Sequence, residues 1–279
     1  MLSDTLRYIS SATLVFSLIL ISSCASKNDL KAKQAGLYFG AGTQSLMSKN
    51  YTAALTSLLK ANELDPDNAE ILNNLGMAYY FKGEEDLAIK HLHKALEINK
   101  NNSDAKINLA SIHYRNGKIT LAESLYKEVL RDLTYDKQAR TFYNLGLIEL
   151  ENKKNTAAAI NYFQKSMKED ENFCPSSLQL GLIHYNHKQY NKALRVFKEA
   201  SLGTCYDSPE PHYYQALSMM KLGKYTEARL KLNDISTKFK KSVFAVKAKS
   251  LMTEINDIET RNKSETTHAT RTSLESPDF

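Results

Sequence analysis

Hydrophobic residues recur three and four positions apart along most of the chain, in pairs of segments separated by a short polar break. This spacing puts the apolar side chains on one face of each segment and predicts pairs of amphipathic helices. Residues 69–102 show the unit most clearly, with Gly83 in the break, where a tight turn is needed. Small residues mark the expected close contacts between the two helices, and large apolar residues fill the space around them: Gly76, Ala88 and Ala95, then Leu72, Leu75, Tyr79, Ile89, Leu92 and Ile98. The unit is therefore predicted to be a helical hairpin.

The hairpin pattern occurs six times at a nearly constant interval. The small residue in the middle of each first helix recurs at intervals of 34, 34, 36, 35 and 35 residues, at Gly42, Gly76, Ala110, Gly146, Gly181 and Ala216. A small residue of the second helix follows twelve positions later, and thirteen in the fourth copy, at Ala54, Ala88, Ala122, Ala159, Ala193 and Ala228. We therefore expect one extra residue in the turn near residues 153–156. Because each hairpin leaves an apolar face that only a neighbour covers, six copies predict one stacked core.

A period near 34 residues with Leu-Gly, an aromatic position and alanines at fixed offsets resembles the tetratricopeptide repeat. The resemblance implies an all-α fold, a right-handed α-solenoid of six tetratricopeptide repeats over residues 35–241. Residues 242–262 are predicted to form a C-terminal capping helix, with apolar residues at Val243, Val246, Leu251, Ile255 and Ile258. Residues 263–279 are polar and lack a hydrophobic period, so a disordered tail is predicted there.

The pattern of residues at the N-terminus indicates a targeting segment. Arg7 precedes an apolar run over residues 9–21, which is short for a membrane span, and residues 1–23 are predicted to be a signal peptide. The small residues before Cys24 resemble the lipobox of bacterial lipoproteins. The resemblance implies a lipidated Cys24 and a short linker over residues 24–34. Ala25 in place of Asp resembles the outer-membrane sorting choice, so we expect a lipid-anchored protein on the periplasmic face of that membrane. A plain secretory signal or an uncleaved anchor is the alternative.

The two cysteines that remain are expected to pair. Cys174 begins the first helix of the fifth repeat, and Cys205 follows the end of its second helix. Antiparallel helices bring these two ends of a hairpin together, and the predicted compartment is oxidising. A disulfide between Cys174 and Cys205 is therefore predicted.

The resemblance also implies which residues face a partner, because solenoids of this kind present the first helix of each repeat on the concave side. We call these positions the inner row: Phe39, Leu46, Met47, Asn73, Met77, Tyr80, Phe81, Ile107, Ser111, Tyr114, Tyr143, Leu147, Leu150, Leu178, Leu182 and Tyr185. The row is mostly apolar and aromatic, which suits the apolar face of a helix or an extended apolar strand. The Lys and Arg residues that clamp a C-terminal carboxylate are mostly missing from it. A slip of one position would put several of these side chains in the core instead.

The sequence contains few residue patterns that are typical of catalysis or of metal binding. His91 and His93 alternate on one helix and cannot easily share a metal, and neither a nucleophile motif nor a phosphate-binding glycine loop is found. The formal charge is +6, and residues 188–249 hold thirteen Lys and Arg against five Asp and Glu. This excess is either a solvated face or a surface for anionic lipid or an acidic partner. We predict a protein-binding scaffold that is not an enzyme and uses no cofactor, metal, nucleic acid or small-molecule substrate.

Tetratricopeptide repeats behind a lipobox, with a cysteine pair closing a late repeat, resemble the type IV pilus biogenesis and stability lipoproteins, the pilotin family. The resemblance implies that the inner row of the early repeats, including Phe39, Met77, Tyr80 and Phe81, binds a segment of the secretin and promotes its assembly. The secretin is the outer-membrane ring through which the pilus emerges. Two alternatives stay open. One is a lipoprotein adaptor for peptidoglycan hydrolases or outer-membrane protein assembly, and the other is an accessory of a polysaccharide export complex.

Overall fold

The computed structural model describes residues 29–274, with side chains as far as residue 265. The chain divides into two compact units, unit 1 over residues 1–135 and unit 2 over residues 136–279. The helices described in unit 1 are α1 (29–47), α2 (Tyr51–Leu64), α3 (Ala69–Phe81), α4 (Glu85–Ile98), α5 (Ser103–Arg115) and α6 (Ile119–Val129). Those of unit 2 are α7 (Gln138–Leu147), a π-helical turn (Ile148–Asn152), α8 (Thr156–Glu169), α9 (Cys174–Asn186), α10 (Tyr190–Ala200), α11 (Pro209–Lys221), α12 (Tyr225–Lys238) and α13 (Val243–Leu274). The predicted signal peptide and Cys24 lie outside the described residues.

Consecutive helices pair as hairpins, three in each unit, from α1 with α2 to α11 with α12. Each hairpin turn contains one residue with positive φ, which reverses the chain within a few residues. These residues are Lys49 (60°), Gly83 (86°) and Gly117 (72°) in unit 1, and Lys154 (55°), Lys188 (58°) and Gly223 (74°) in unit 2. Together with the repeat spacing, the hairpins confirm the predicted fold class, an all-α tetratricopeptide solenoid.

The small residues of the first helices lie where the two helices of a hairpin touch. A β-carbon added at Gly181 would lie 2.5 Å from a ring carbon of Phe197, and one at Gly76 would lie 3.0 Å from Cγ of Leu92. The matching alanines of the second helices are fully buried: Ala54, Ala88, Ala122, Ala159, Ala193 and Ala228. The helices therefore pack at a distance that a larger side chain would prevent.

The extra residue of the fourth repeat lies in a helix rather than in the turn. The π-helical turn Ile148–Asn152 extends α7, and each residue of such a turn bonds five positions back, which absorbs one residue without breaking the helix. The prediction of an insertion near residues 153–156 is corrected to this position. The change matters for the site, because the turn carries Leu150.

Each unit has its own hydrophobic clusters between adjacent hairpins. In unit 1, Leu58 and Leu75 join the first two hairpins, and Leu92 and Leu109 join the second and third. In unit 2, Phe163 and Leu180 join the fourth and fifth hairpins. Within each unit, each hairpin thus covers the apolar face of the one before it.

The capping helix α13 covers the last hairpin with part of the predicted apolar set, which includes Leu251 and Ile255. Ala248 and Ile255 are fully buried against α11 and α12. Val243 and Val246 are 60% and 70% exposed, although the sequence suggested that they would be buried. The small Ala245 and Ala248 permit close contact between the helices, which turns the two valines outward.

Both ends of the repeat region are helical further than predicted. Helix α13 continues to Leu274, into the segment predicted to be a disordered tail, because neither Gly nor Pro interrupts residues 263–274. Residues 29–34 belong to α1 rather than to a linker.

Candidate peptide-binding site

An apolar recess of unit 2 lies on the inner row. It is a cavity of about 700 Å³, which we call the unit-2 cavity. Its lining residues are Leu150, Thr156, Gln179, Leu182, Ile183, Tyr185, Asn186, His187 and Tyr214. Three of them, Leu150, Leu182 and Tyr185, were predicted as inner-row residues. The structure brings them together, and it adds Gln179 and Tyr214, which the sequence analysis missed.

Aromatic rings hold one wall of the unit-2 cavity in place. The Tyr185 ring makes edge-to-face contacts with Tyr190 and Tyr214, with centroids 5.4 Å and 6.2 Å apart. Tyr214 also stacks on Phe197, with centroids 5.5 Å apart. Burial raises the pKa of Tyr185, and the neighbouring tyrosines raise it further. The phenol is therefore neutral at physiological pH and can donate a hydrogen bond to a partner.

Tyr143 supports the cavity from behind. Its ring centroid lies 6.0 Å from that of Phe163 and 5.7 Å from that of Phe173, and its side chain hydrogen-bonds Gln179. Burial raises the pKa of Tyr143. Leu147 packs on the same cluster, and Leu178 is half-buried. Tyr143 thus positions the amide of Gln179, which lines the cavity.

The chemistry of the unit-2 cavity is that of a binding site. Its leucines and rings accept apolar side chains, while the Gln179 amide and the tyrosine hydroxyls can bond polar groups of a peptide backbone. The His187 ring nitrogen Nδ1 lies 2.9 Å from the Ile183 carbonyl oxygen, so this atom is already engaged. Among the described residues, no group of His, Cys, Asp and Glu side chains is placed to hold a metal ion.

Unit 1 contains a chain of side-chain hydrogen bonds that includes one inner-row residue, Asn73, and we call this chain the asparagine ladder. Asn74 donates to Thr43 on α1 (2.8 Å), Asn73 donates to Asn74 (3.1 Å), and Asn108 on α5 donates to Asn73 (2.9 Å). Asn73 is only 6% exposed. The ladder ties three successive first helices together, so the prediction of Asn73 as a partner contact is corrected to a structural role.

Ile107 also lies in the core rather than on a surface. Its side chain is 1% exposed, and the hydroxyl of Ser111, one turn later, donates to the Ile107 carbonyl (2.8 Å). The Ser111 oxygen also lies 3.0 Å from the hydroxyl of Tyr126 on α6. Burial follows from the close approach of α5 to its neighbours, so Ile107 is removed from the predicted partner-binding set.

Part of the unit-1 inner row remains accessible. Phe81 is 46% exposed and stacks on Tyr51, with centroids 4.7 Å apart. Tyr80 is half-buried beneath the Arg115 guanidinium, which lies 5.6 Å from its ring centroid. Met47 is 74% exposed at the end of α1. The remaining positions are half-buried: Phe39, Leu46, Met77 and Tyr114.

The structure joins Cys174 and Cys205 in a disulfide bond, with Cα atoms 5.8 Å apart. The bond fixes the loop over residues 201–208 to the start of α9. The Thr204 amide donates to the Asn172 carbonyl (2.8 Å), and a β-carbon at Gly203 would lie 2.5 Å from that oxygen. Glycine at position 203 therefore allows the close approach that the disulfide needs.

These features define the class of protein. The chain is an all-α protein built of tetratricopeptide repeats. A TPR repeat model matches residues 48–83, and tetratricopeptide repeat models match residues 69–102, 107–172 and 212–242. In the described part of the chain, no helix has the length and apolar character to cross a membrane.

Among curated proteins, the chain is similar to the type IV pilus assembly protein PilF of Pseudomonas aeruginosa. The two are 28% identical over 167 residues, which is 60% of this chain and 65% of the relative. The match thus spans about two thirds of the relative's length. A solved structure of Pseudomonas aeruginosa PilF superposes with a TM-score of 0.66 at 22% identity, covering 79% of this chain and 98% of that one.

Two other solved structures share the fold. PilW, described as a widely conserved type IV pilus biogenesis factor, has a TM-score of 0.63 at 17% identity, covering 76% of this chain and 97% of that one. A chain of the APC/C hetero-tetramer Cut9-Hcn1 has a TM-score of 0.64 at 19% identity, covering 86% and 45%. Such different proteins have similar scores, so the superpositions establish the fold alone.

Proposed function

We propose that the protein is an outer-membrane-tethered periplasmic scaffold. It binds a secretin segment on its inner row, chiefly in the unit-2 cavity, and thereby promotes secretin assembly in type IV pilus biogenesis. Two facts support the proposal. The sequence is similar to that of the type IV pilus assembly protein PilF, and the unit-2 cavity has the apolar and aromatic lining that suits a peptide.

In this proposal the cavity binds without chemical conversion. Leu150 and Leu182 bury an apolar side chain of the secretin segment, and Tyr185 and Gln179 bond its backbone. A secretin segment that inserts into the outer membrane exposes apolar surface before it assembles. Shielding that surface in the cavity prevents aggregation until the ring takes it up.

The proposed tether is a lipid on Cys24, which keeps the scaffold at the membrane where the secretin assembles. A Cys24→Ser variant is expected to lose metabolic labelling with a fatty acid and to leave the outer-membrane fraction, because several acyl chains are needed for stable anchoring. Unchanged labelling of this variant would contradict lipidation at Cys24.

The binding proposal is tested by placing a charge in the unit-2 cavity. Leu182→Asp is expected to abolish co-purification of the secretin and to reduce its detergent-resistant multimers in cells, because a carboxylate in an apolar site must be desolvated. The matched control is Leu230→Asp, which puts the same charge on an exposed position of α12. Urea unfolding of both variants checks that each still folds.

Wild-type secretin multimers in a folded Leu182→Asp variant would refute the cavity as the binding site. A Tyr80→Ala, Phe81→Ala double variant then tests whether the accessible part of unit 1 carries the binding instead. Normal multimers in a deletion strain, together with altered septation or wall chemistry, would favour the hydrolase-adaptor alternative.

A further inference from the structure

A second surface of unit 2 combines basic and exposed apolar residues. It lies around the turn between α12 and α13, and we call it the lysine surface. Between Asp234 and Glu254 the chain contains five lysines and no acidic residue, at Lys238, Lys240, Lys241, Lys247 and Lys249. All five are exposed, and within residues 29–265 none of them forms an ion pair with a carboxylate. The surface therefore has a positive charge that the protein itself does not neutralise.

Exposed apolar side chains lie among these lysines. Val243 and Val246 are three positions apart on the first turns of α13, so they share one helical face. They are exposed because the opposite face of the helix, with Ala248 and Ile255, is buried in the core. Packing thus holds the valines outward and prevents the helix from rotating to bury them.

The turn before α13 continues the same combination of properties. Lys238, Phe239, Lys240, Lys241 and Ser242 line a shallow recess of about 520 Å³. The Phe239 ring is half-buried, with its centroid 5.9 Å from that of His212, which fixes the turn against α11. Three lysines therefore project from a fixed turn rather than from a loose loop.

We propose that the lysine surface docks on a membrane whose lipids have anionic, phosphate-bearing headgroups. Lysines near such a surface are attracted by its negative potential, and valines between them insert into the boundary between headgroups and acyl chains. A bilayer fits better than an acidic protein, because Val243 and Val246 are exposed beside the lysines, and a bilayer accepts apolar side chains while its headgroups balance the charge. This contact adds to the proposed anchor at Cys24 and does not depend on it.

The test uses a chain that begins at Ala25, which retains every described element and carries no acyl group. Its binding is measured by co-sedimentation with vesicles of phosphatidylethanolamine and phosphatidylglycerol, and with vesicles of phosphatidylcholine alone. Binding is expected only to the anionic vesicles, and it should weaken as salt is added. The variant Lys238→Gln, Lys240→Gln, Lys241→Gln should bind about 100-fold more weakly, because each lysine contributes about fivefold.

The matched control is Lys90→Gln, Lys100→Gln, Lys118→Gln, which removes the same charge from unit 1. It should keep most of the binding. Val243→Ser with Val246→Ser should lower binding about tenfold through the loss of apolar burial alone. Equal losses in the two triple variants would mean that net charge drives adsorption, which overturns the proposal. No binding to anionic vesicles also overturns it and points to an acidic protein partner. Neither result bears on the secretin multimers that test the proposed function.

Discussion

The two units use the same repeat positions for different purposes. In unit 1 the sixth position of the first helix is Asn74 or Asn108, and these side chains form the asparagine ladder. In unit 2 the sixth position is Asn144 in the fourth repeat, Gln179 in the fifth and Tyr214 in the sixth, and the last two line the unit-2 cavity. The same repeat position thus cross-links hairpins in unit 1 and lines the candidate binding site in two repeats of unit 2.

This difference shows why a repeat protein need not bind a partner equally at every repeat. A buried amide ladder is satisfied within the protein and leaves no polar group for a partner. Gln179 and Tyr214, which are larger, instead line an apolar cavity with an aromatic wall. The predictions below test how far each unit depends on these arrangements.

The largest expected effect on stability comes from removing the disulfide bond of unit 2. Replacing both Cys174 and Cys205 by Ser should lower the free energy of unfolding by about 3 to 4 kcal/mol, because a closed loop of this length restricts the unfolded chain. Urea unfolding of the variant and of the reduced wild-type protein should give the same midpoint. Two titratable thiols in the non-reduced protein at these positions would contradict the bond.

The second effect concerns the contact between the helices of a hairpin. Gly181→Ala in unit 2 should lower the free energy of unfolding by about 1 to 3 kcal/mol, because the new methyl group overlaps the stiff Phe197 ring. Gly76→Ala in unit 1 is the matched control. Its methyl group would lie 3.0 Å from Cγ of Leu92 and 3.1 Å from the Ala88 carbonyl oxygen, a smaller overlap than the one at Gly181, and the higher helix propensity of alanine offsets the crowding. Equal losses of stability in urea would contradict this distinction.

The repeat framework was predictable because it follows from local rules. Short stretches of sequence are enough to show the helical periodicity, the small residues at the helix contacts and the positions of Cys174 and Cys205. The outward positions of Val243 and Val246 were not predictable in this way. Alanines allow α13 to approach the last hairpin more closely than valines do, and apolar character alone does not show which face of a helix is buried.

The inner row was predictable only in part. The repeat register correctly predicted that Leu182 and Tyr185 face the cavity. The burial of Asn73 and Ile107 depends on how closely neighbouring hairpins approach each other, and the sequence of a single repeat does not determine that distance. The site of the insertion was missed for a related reason. A helix can absorb an extra residue in its own hydrogen bonding, at Ile148–Asn152, without any turn-forming residue to mark the place.

The asparagine ladder offers a third comparison. Asn108→Ala should lower the free energy of unfolding by about 1 to 2 kcal/mol, because the buried oxygen of Asn73 loses its donor. The double variant Asn73→Leu, Asn108→Leu removes both partners of this buried bond and leaves only the half-buried Asn74 oxygen without its donor, so it should be closer in stability to the wild type. Thermal unfolding of the two variants checks this order. A double variant that is less stable than Asn108→Ala would show that the ladder contributes more than the satisfaction of its own groups.

The smallest effect lies in the hairpin turns, where unit 2 has Lys at two of its three positive-φ positions and unit 1 has Lys at one. Lys188→Gly should raise the free energy of unfolding by about 0.5 to 1 kcal/mol, because the left-handed conformation at φ 58° strains a residue with a β-carbon. The reverse change, Gly83→Lys, should lower it by a similar amount, since nothing crowds that position and only the backbone strain is added. Urea midpoints at matched slopes measure both. If Lys188→Gly were destabilising, the lysine stem would have to contribute packing worth more than the strain.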